Sequence, residues 1–211
     1  MQTRPYPSKS GQRLWLSRAE QQRLLDVVDE DYPRRRIALD LALTGLRSDE
    51  VRNVEPRHFE RLDSSDEKWR LVIPDGKTGT RSTPVARELR ERVKYLKSAA
   101  RLRTDEPIID VSTRSLRDWI GDAREELAAD FEDERWHDLG MHDLRRTWAT
   151  DTFYSLAFEG VPIAEELTMA WGGWAMTDSG RETFRRNYLG PVPDHVTSRA
   201  MEHLFTVESD S

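Results

Sequence analysis

The chain has 211 residues, of which 34% are charged and 36% hydrophobic, with no cysteine and a formal net charge of −6. That length suits one large domain or two small ones with a real core, and the lack of cysteine excludes a disulfide scaffold and a thiolate metal site and fits a reducing cytoplasm. No apolar run approaches the roughly 20 residues of a membrane span, the N-terminus has no signal-peptide core, and the acidic balance argues on its face against a nucleic-acid partner.

Residues 1–13 are polar, with two prolines and a glycine, and read as a flexible lead-in. Ser17-Arg18-Ala19-Glu20 is a capping box that predicts a helix to about Glu30. Pro33 suits a first helical turn, and Ile37, Leu39, Leu41, Ala42 and Leu43 make the next helix buried nearly all round until Gly45 stops it. Ser48 caps a further short turn. Between 58 and 85 the pattern changes to strands over His58–Leu62, Trp69–Ile73 and Arg81–Val85, joined by turns at Asp63–Glu67 and Asp75–Gly79. Helices return at Ala86–Ala100, Ser112–Ala128, Met141–Ala157, Ile163–Ala170, Arg181–Asn187 and His195–Phe205. The expected fold class is α+β, mainly α: one helical domain over 14–190 with a small three-stranded antiparallel sheet, then a linker and helix over 191–211.

Charge is segregated along this map. Residues 81–103 carry eight cations against Glu88 and Glu91, whereas residues 118–138 carry nine acids against Arg124 and Arg135. A charge run is ordinarily a solvated face, but the acidic total hides at least one strongly basic segment.

Four segments bear chemistry. In Thr44-Gly45-Leu46-Arg47-Ser48-Asp49-Glu50-Val51 an arginine follows a glycine-stopped helix, and Glu50 is spaced to orient it; a fixed guanidinium suits bidentate phosphate recognition, although for this segment alone an ordinary capping-turn salt bridge is the better explanation. In Met141-His142-Asp143-Leu144-Arg145-Arg146 an imidazole and a guanidinium share one face near a helix N-terminus, a place that favours anions. The Lys77 turn matters only if the hairpin reaches over a substrate, where an ammonium protonates a leaving oxygen. Trp171-Gly172-Gly173-Trp174 precedes Arg185-Arg186-Asn187-Tyr188, a tyrosine at the end of an arginine-rich helix before Gly190 and Pro191.

In chain order these segments read Arg…Lys…His-x-x-Arg…Trp…Tyr, which resembles the tyrosine recombinase (phage integrase) family from about Leu14 to Phe205. LTGLRSDEV and HDLRRTWAT are the specific parts. The resemblance implies that Arg47, Lys77, His142, Arg145 and Trp174 activate a DNA phosphate and that Tyr188 is the nucleophile, with Glu50 in support. Many family members have His where Trp174 stands, and Trp is a known substitute. The intervals around Trp174 are longer than in common bacterial members, which leaves Trp171 as the alternative; a glycine precedes Trp174 as in the family. Most relatives also carry an N-terminal clamp domain, for which residues 1–13 leave no room, so a stand-alone catalytic domain, a fragment and a minimal recombinase are all open. The acidic, lysine-poor composition would suit a haloarchaeal host, virus or plasmid.

The function so implied is a cytoplasmic, site-specific DNA recombinase that cleaves and rejoins strands through a 3′-phosphotyrosine, with no metal, no ATP and no other cofactor. Its partner would be double-stranded DNA, bound by Arg81, Arg87, Arg146, Arg185 and Arg186, and the active form a homo-oligomer, a tetramer on DNA, linked by the C-terminal helix docking in trans. The alternative is a non-catalytic DNA-binding module of the same fold.

Overall fold

Ser17 starts the first long helix as its spacing requires: its Oγ accepts from the Glu20 amide at 3.3 Å, and Glu20 Oε2 accepts from the Ser17 amide at 2.8 Å. The computed structural model describes residues 1–7, 10–28, 33–63, 67–76 and 79–206, with the Thr206 side chain left out. In chain order the elements are β1 (Gln2–Pro5), β2 (Gln12–Trp15), α1 (Arg18–Val27), α2 (Pro33–Ala42), α3 (Ser48–Arg52), β3 (Phe59–Arg61), β4 (Trp69–Ile73), β5 (Arg81–Val85), α4 (Arg87–Ala99), α5 (Thr113–Phe131), α6 (Met141–Phe158), α7 (Ala164–Gly172), α8 (Asp178–Asn187) and α9 (Asp194–Thr206). Short 3₁₀ turns at Pro56–His58 and Glu134–Asp138 join them. No helix among the described residues is long and apolar enough to cross a membrane.

The main core is aliphatic and gathers around α2, whose Ile37, Ala38, Leu39, Leu41 and Ala42 are all buried. This helix packs on α1, α4, α5 and α6, which is why its sequence is apolar nearly all round. Gly45 ends it with φ +89°, and a Cβ there would stand 2.5 Å from the Trp148 ring. The residue is therefore glycine for two reasons, backbone sign and lack of room. The sheet is a meander in the order β3-β4-β5, antiparallel throughout, with Leu71 opposite both Phe59 and Thr83.

A second, smaller cluster is mainly aromatic. Trp148, Ala149, Met169, Trp174 and Phe184 are buried in it, and Phe153, Trp171, Tyr188 and Leu189 pack against it. It sits where α6, α7 and α8 meet.

Two expectations change. The stretch read as a flexible lead-in contains β1, which pairs antiparallel with β2 from Gln2 opposite Trp15 to Pro5 opposite Gln12. Its order comes from tertiary contacts: the Met1 ammonium meets Glu20, and Arg135 Nη1 donates to Met1 O at 2.8 Å. In addition, α8 begins a turn before Arg181, because Thr177 Oγ1 accepts from the Gly180 amide at 3.2 Å and caps it there. The end of the first helix expected near Glu30 lies outside the described residues.

Candidate active site

The site is organised by the C-terminus of α7. The last carbonyls of a helix lack partners within it and carry partial negative charge. Here three successive carbonyls each receive one arginine. Arg81 Nε donates to Trp171 O at 2.9 Å, Arg145 Nη2 to Gly172 O at 2.6 Å, and Arg47 Nη2 to Gly173 O at 3.0 Å. Gly173 closes the helix in the left-handed region, at φ 71°. Three guanidiniums from α3's entrance, β5 and α6 are thereby drawn to one place.

Their surroundings differ. Glu50, buried, accepts from Arg81 at 2.8 and 2.9 Å and from Arg47 Nη1 at 2.8 Å, and its other oxygen takes the Arg47 amide at 2.7 Å. Burial works to raise the Glu50 carboxyl, but the bonds from Arg81 and the Arg47 amide outweigh it and hold the pKa below the ordinary carboxylate value. Arg145, only 1% exposed, meets no carboxylate among the described residues: its Nη1 donates to Gly45 O, and its Nε is buried without a hydrogen-bond partner. Burial first, and then the Arg47 charge, pull its pKa down to about 9. It remains cationic at neutral pH, so the cluster is a desolvated positive site of three guanidiniums whose one carboxylate is taken by Arg47 and Arg81.

Around it lie the aromatic rings. The Arg145 guanidinium stacks over the Trp174 ring at 4.2 Å and lies 5.5 Å from the Tyr188 ring. Trp174 meets Tyr188 edge-on at 4.6 Å, and His142, exposed, approaches the same tyrosine at 5.1 Å. Trp174 itself stacks on Trp148 at 6.2 Å. Gly172 makes room for it: a Cβ there would lie 1.9 Å from the Trp174 ring. Of the two tryptophans left open by the sequence, Trp174 is therefore the one that touches Arg145 and Tyr188, while Trp171 contributes its carbonyl to Arg81.

The structure thus brings Arg47, Glu50, His142, Arg145, Trp174 and Tyr188 together. Lys77 lies outside the described residues. The root of its turn belongs to the cluster, since a Cβ on Gly76 would stand 3.1 Å from Arg81 Nη1 and 3.7 Å from Glu50 Oε1. No group of three or more His, Cys, Asp or Glu side chains arranged to hold a metal occurs among the described residues.

The arginines expected on DNA divide. Arg87, Arg185 and Arg186 are exposed, the first paired with Glu67 at 2.9 Å and the second with Glu165 at 2.7 Å. Arg81 and Arg146 are not placed to meet DNA directly. Arg81 is buried on Glu50, and Arg146 is buried in an ion pair with Asp143, donates from Nε to Asn187 O at 3.1 Å and faces the Tyr6 ring. Turned outward, Arg146 would leave the buried Asp143 without countercharge, and Arg81 would leave the buried Glu50 to Arg47 alone. The three-residue spacing of Asp143 and Arg146 on one helix was the available signal for the second pair.

No protein-family model and no curated protein matches the chain. Solved structures do. XerA recombinase superposes with a TM-score of 0.62 at 20% identity, over 90% of this chain and 64% of that one. XerH site-specific recombinase, in a post-cleavage complex with its palindromic difH substrate, gives 0.61 at 18% over 88% and 51%. The Tn1549 transposon integrase bound to transposon right-end DNA gives 0.58 at 14% over 95% and 69%. The chain spans about half to two thirds of the length of these proteins. Its fold, mostly helical with one small antiparallel meander, is that of the tyrosine recombinase catalytic domain.

Proposed function

We propose that this chain is a site-specific DNA recombinase of the integrase type, with Tyr188 as nucleophile. The observation that carries the reading is the buried, carboxylate-free Arg145 held against the Tyr188 ring beside Arg47. A desolvated guanidinium with an unused donor is complementary to an anion, and the anion within reach of a tyrosine nucleophile would be a backbone phosphodiester.

In this mechanism Tyr188 Oη attacks the phosphorus, forming a 3′-phosphotyrosine bond and releasing a 5′-hydroxyl. Negative charge grows on the non-bridging oxygens, and Arg47 and Arg145 supply the countercharge, an effect worth about 2.7–4 kcal/mol per donor. His142 takes up the phenolic proton or binds the phosphate, and Trp174 packs on the tyrosine and on Arg145. Lys77 donates a proton to the departing 5′ oxygen. Glu50 and Arg81 fix Arg47. Because the phosphotyrosine conserves the energy of the broken bond, attack by a different 5′-hydroxyl completes strand exchange without ATP or a metal.

The partner in this reading is duplex DNA, met by the exposed Arg87, Arg185 and Arg186, with Arg81 and Arg146 acting from inside the protein. The cytoplasm is the compartment the reading requires. Met201, Leu204 and Phe205 of α9 are exposed and would dock on a neighbouring protomer in a tetramer on DNA.

The test is a pool of nicked duplexes of randomised sequence, incubated with the protein and resolved under denaturing conditions. We expect a covalent adduct with a 3′-phosphate on Tyr188, lost in Tyr188→Phe. An adduct that persists in Tyr188→Phe refutes the nucleophile. DNA binding with no adduct at any sequence would instead make the chain a non-catalytic binding module.

A further inference from the structure

Tyr188 follows the last residue of α8, where the terminal carbonyls again have no partners within the helix. Three in succession are taken by side chains from other elements. Arg13 Nη1 donates to Arg186 O at 2.9 Å, Arg146 Nε to Asn187 O at 3.1 Å, and Trp15 Nε1 to Tyr188 O at 2.9 Å. Thr150 Oγ1 adds a second bond to Tyr188 O at 3.0 Å and accepts from the Gly190 amide at 2.9 Å. The Trp15 indole also presses on the chain beyond the tyrosine, since a Cβ built on Gly190 would stand 2.6 Å from its Nε1.

The strand that supplies Arg13 and Trp15 is itself pinned to α6. The Leu14 amide donates to Asp143 Oδ1 at 3.1 Å and the Leu16 amide to Thr147 Oγ1 at 3.0 Å. Asp143 in turn pairs with Arg146. A closed circuit therefore runs from β2 through α6 to the end of α8, and it fixes the main chain on both sides of Tyr188. What remains to the tyrosine is its side-chain torsions, and the ring is bounded by His142 and Trp174.

We infer that β2 is a positioning element for Tyr188, with Trp15 and Arg13 as positioning residues that hold its backbone so that the phenol faces its own Arg145. The inference rests on the strand-cleavage role proposed for Tyr188. It differs from a packing role in one respect. A packing residue supports the fold and DNA binding together, whereas a residue that aims the nucleophile affects the chemical step alone. Trp15→Phe keeps a ring against Gly190 and removes the N–H; Arg13→Gln removes the guanidinium at a half-exposed position and does not disturb the core.

The experiment has two readouts. In the DNA-free protein, hydrogen exchange at the amides of 188–190 should accelerate in both variants while the α2 amides keep wild-type protection. On the nicked duplex that gives the wild-type adduct, single-turnover adduct formation at saturating DNA should slow by about 10- to 100-fold in Trp15→Phe and less in Arg13→Gln. The half-saturating DNA concentration should not change, and Arg13→Lys should recover part of the rate. Wild-type exchange in both variants overturns the inference, as does wild-type cleavage or a parallel loss of binding and rate. If the wild type itself gives no adduct, the recombinase reading fails, and the exchange measurement still decides whether β2 holds the segment.

Discussion

The ends of α7 and α8 use one physical device in opposite senses. At each, three successive carbonyls that a helix cannot satisfy accept from side chains brought in by other elements. At α7 the carbonyls are the platform and the donors are the proposed working groups, Arg47 and Arg145 among them. At α8 the donors are the platform and the helix end carries Tyr188, the proposed nucleophile. The charge balance differs accordingly. Arg146 at the α8 end is neutralised by Asp143, whereas at the α7 end Glu50 serves Arg47 and Arg81 and leaves Arg145 without a carboxylate. A neutralised buried arginine holds structure together; in the proposed mechanism the one left unneutralised beside Tyr188 serves an anion.

Substitution of the two neighbouring arginines of α6 should separate these uses most sharply. Arg146→Met leaves Asp143 buried with its charge unmatched and removes the donor to Asn187 O. Breaking a buried pair in this way costs about 3–5 kcal/mol of stability, read as a lower midpoint in chemical denaturation. A midpoint within experimental error of wild type would mean that the pair at the α8 end is not structural.

Arg145→Met should do the reverse. The guanidinium sits in a site where burial already opposes its charge, so its removal relieves a desolvation penalty while it costs the bonds to Gly45 O and Gly172 O. Stability should change less than in Arg146→Met, and adduct formation should slow by about 10²–10³-fold, the loss of one preorganised transition-state donor. If Arg145→Met unfolds the protein as readily as Arg146→Met, the distinction between the two helix ends does not hold.

Much of this arrangement was legible in the sequence, and the gaps have physical causes. The bounds of β4 and β5 coincide with the alternating runs at Trp69–Ile73 and Arg81–Val85, because one face of each strand is buried and the pattern records it. Arg47, Glu50, His142, Arg145, Trp174 and Tyr188 are singled out by the family resemblance, and they converge in space. The N-terminal hairpin was missed because a two-stranded sheet is marginal in water by itself; its order is supplied by Asp143, Thr147 and the Tyr188 carbonyl, all more than a hundred positions away. Arg81 was placed on DNA because it opens a basic run, and nothing local reveals that its carboxylate partner lies 31 residues earlier in the chain. Charge counts along a sequence register which cations are present, and only the fold shows which of them are already neutralised.

The smallest effect concerns the one carboxylate at the α7 end. Glu50 has a folded pKa below its unfolded value, since the Arg81 and Arg47 bonds outweigh the opposing effect of burial. A carboxyl depressed by folding contributes stability that is fully present above the unfolded value, about 4.5, and is lost as pH falls through the folded value. Glu50→Gln removes that titration and leaves an amide that can still accept from one guanidinium. The gap in thermal midpoint between wild type and Glu50→Gln should therefore stay constant from neutral pH down to about 4.5 and narrow below it, because protonated Glu50 and Gln are alike in charge. Other depressed carboxyls, Glu20 and Glu165 among them, titrate in both proteins and cancel in the difference. A gap that stays constant through acid unfolding would show that Glu50 carries no net charge linkage, and the three arginines at α7 would then be held by its carbonyls alone.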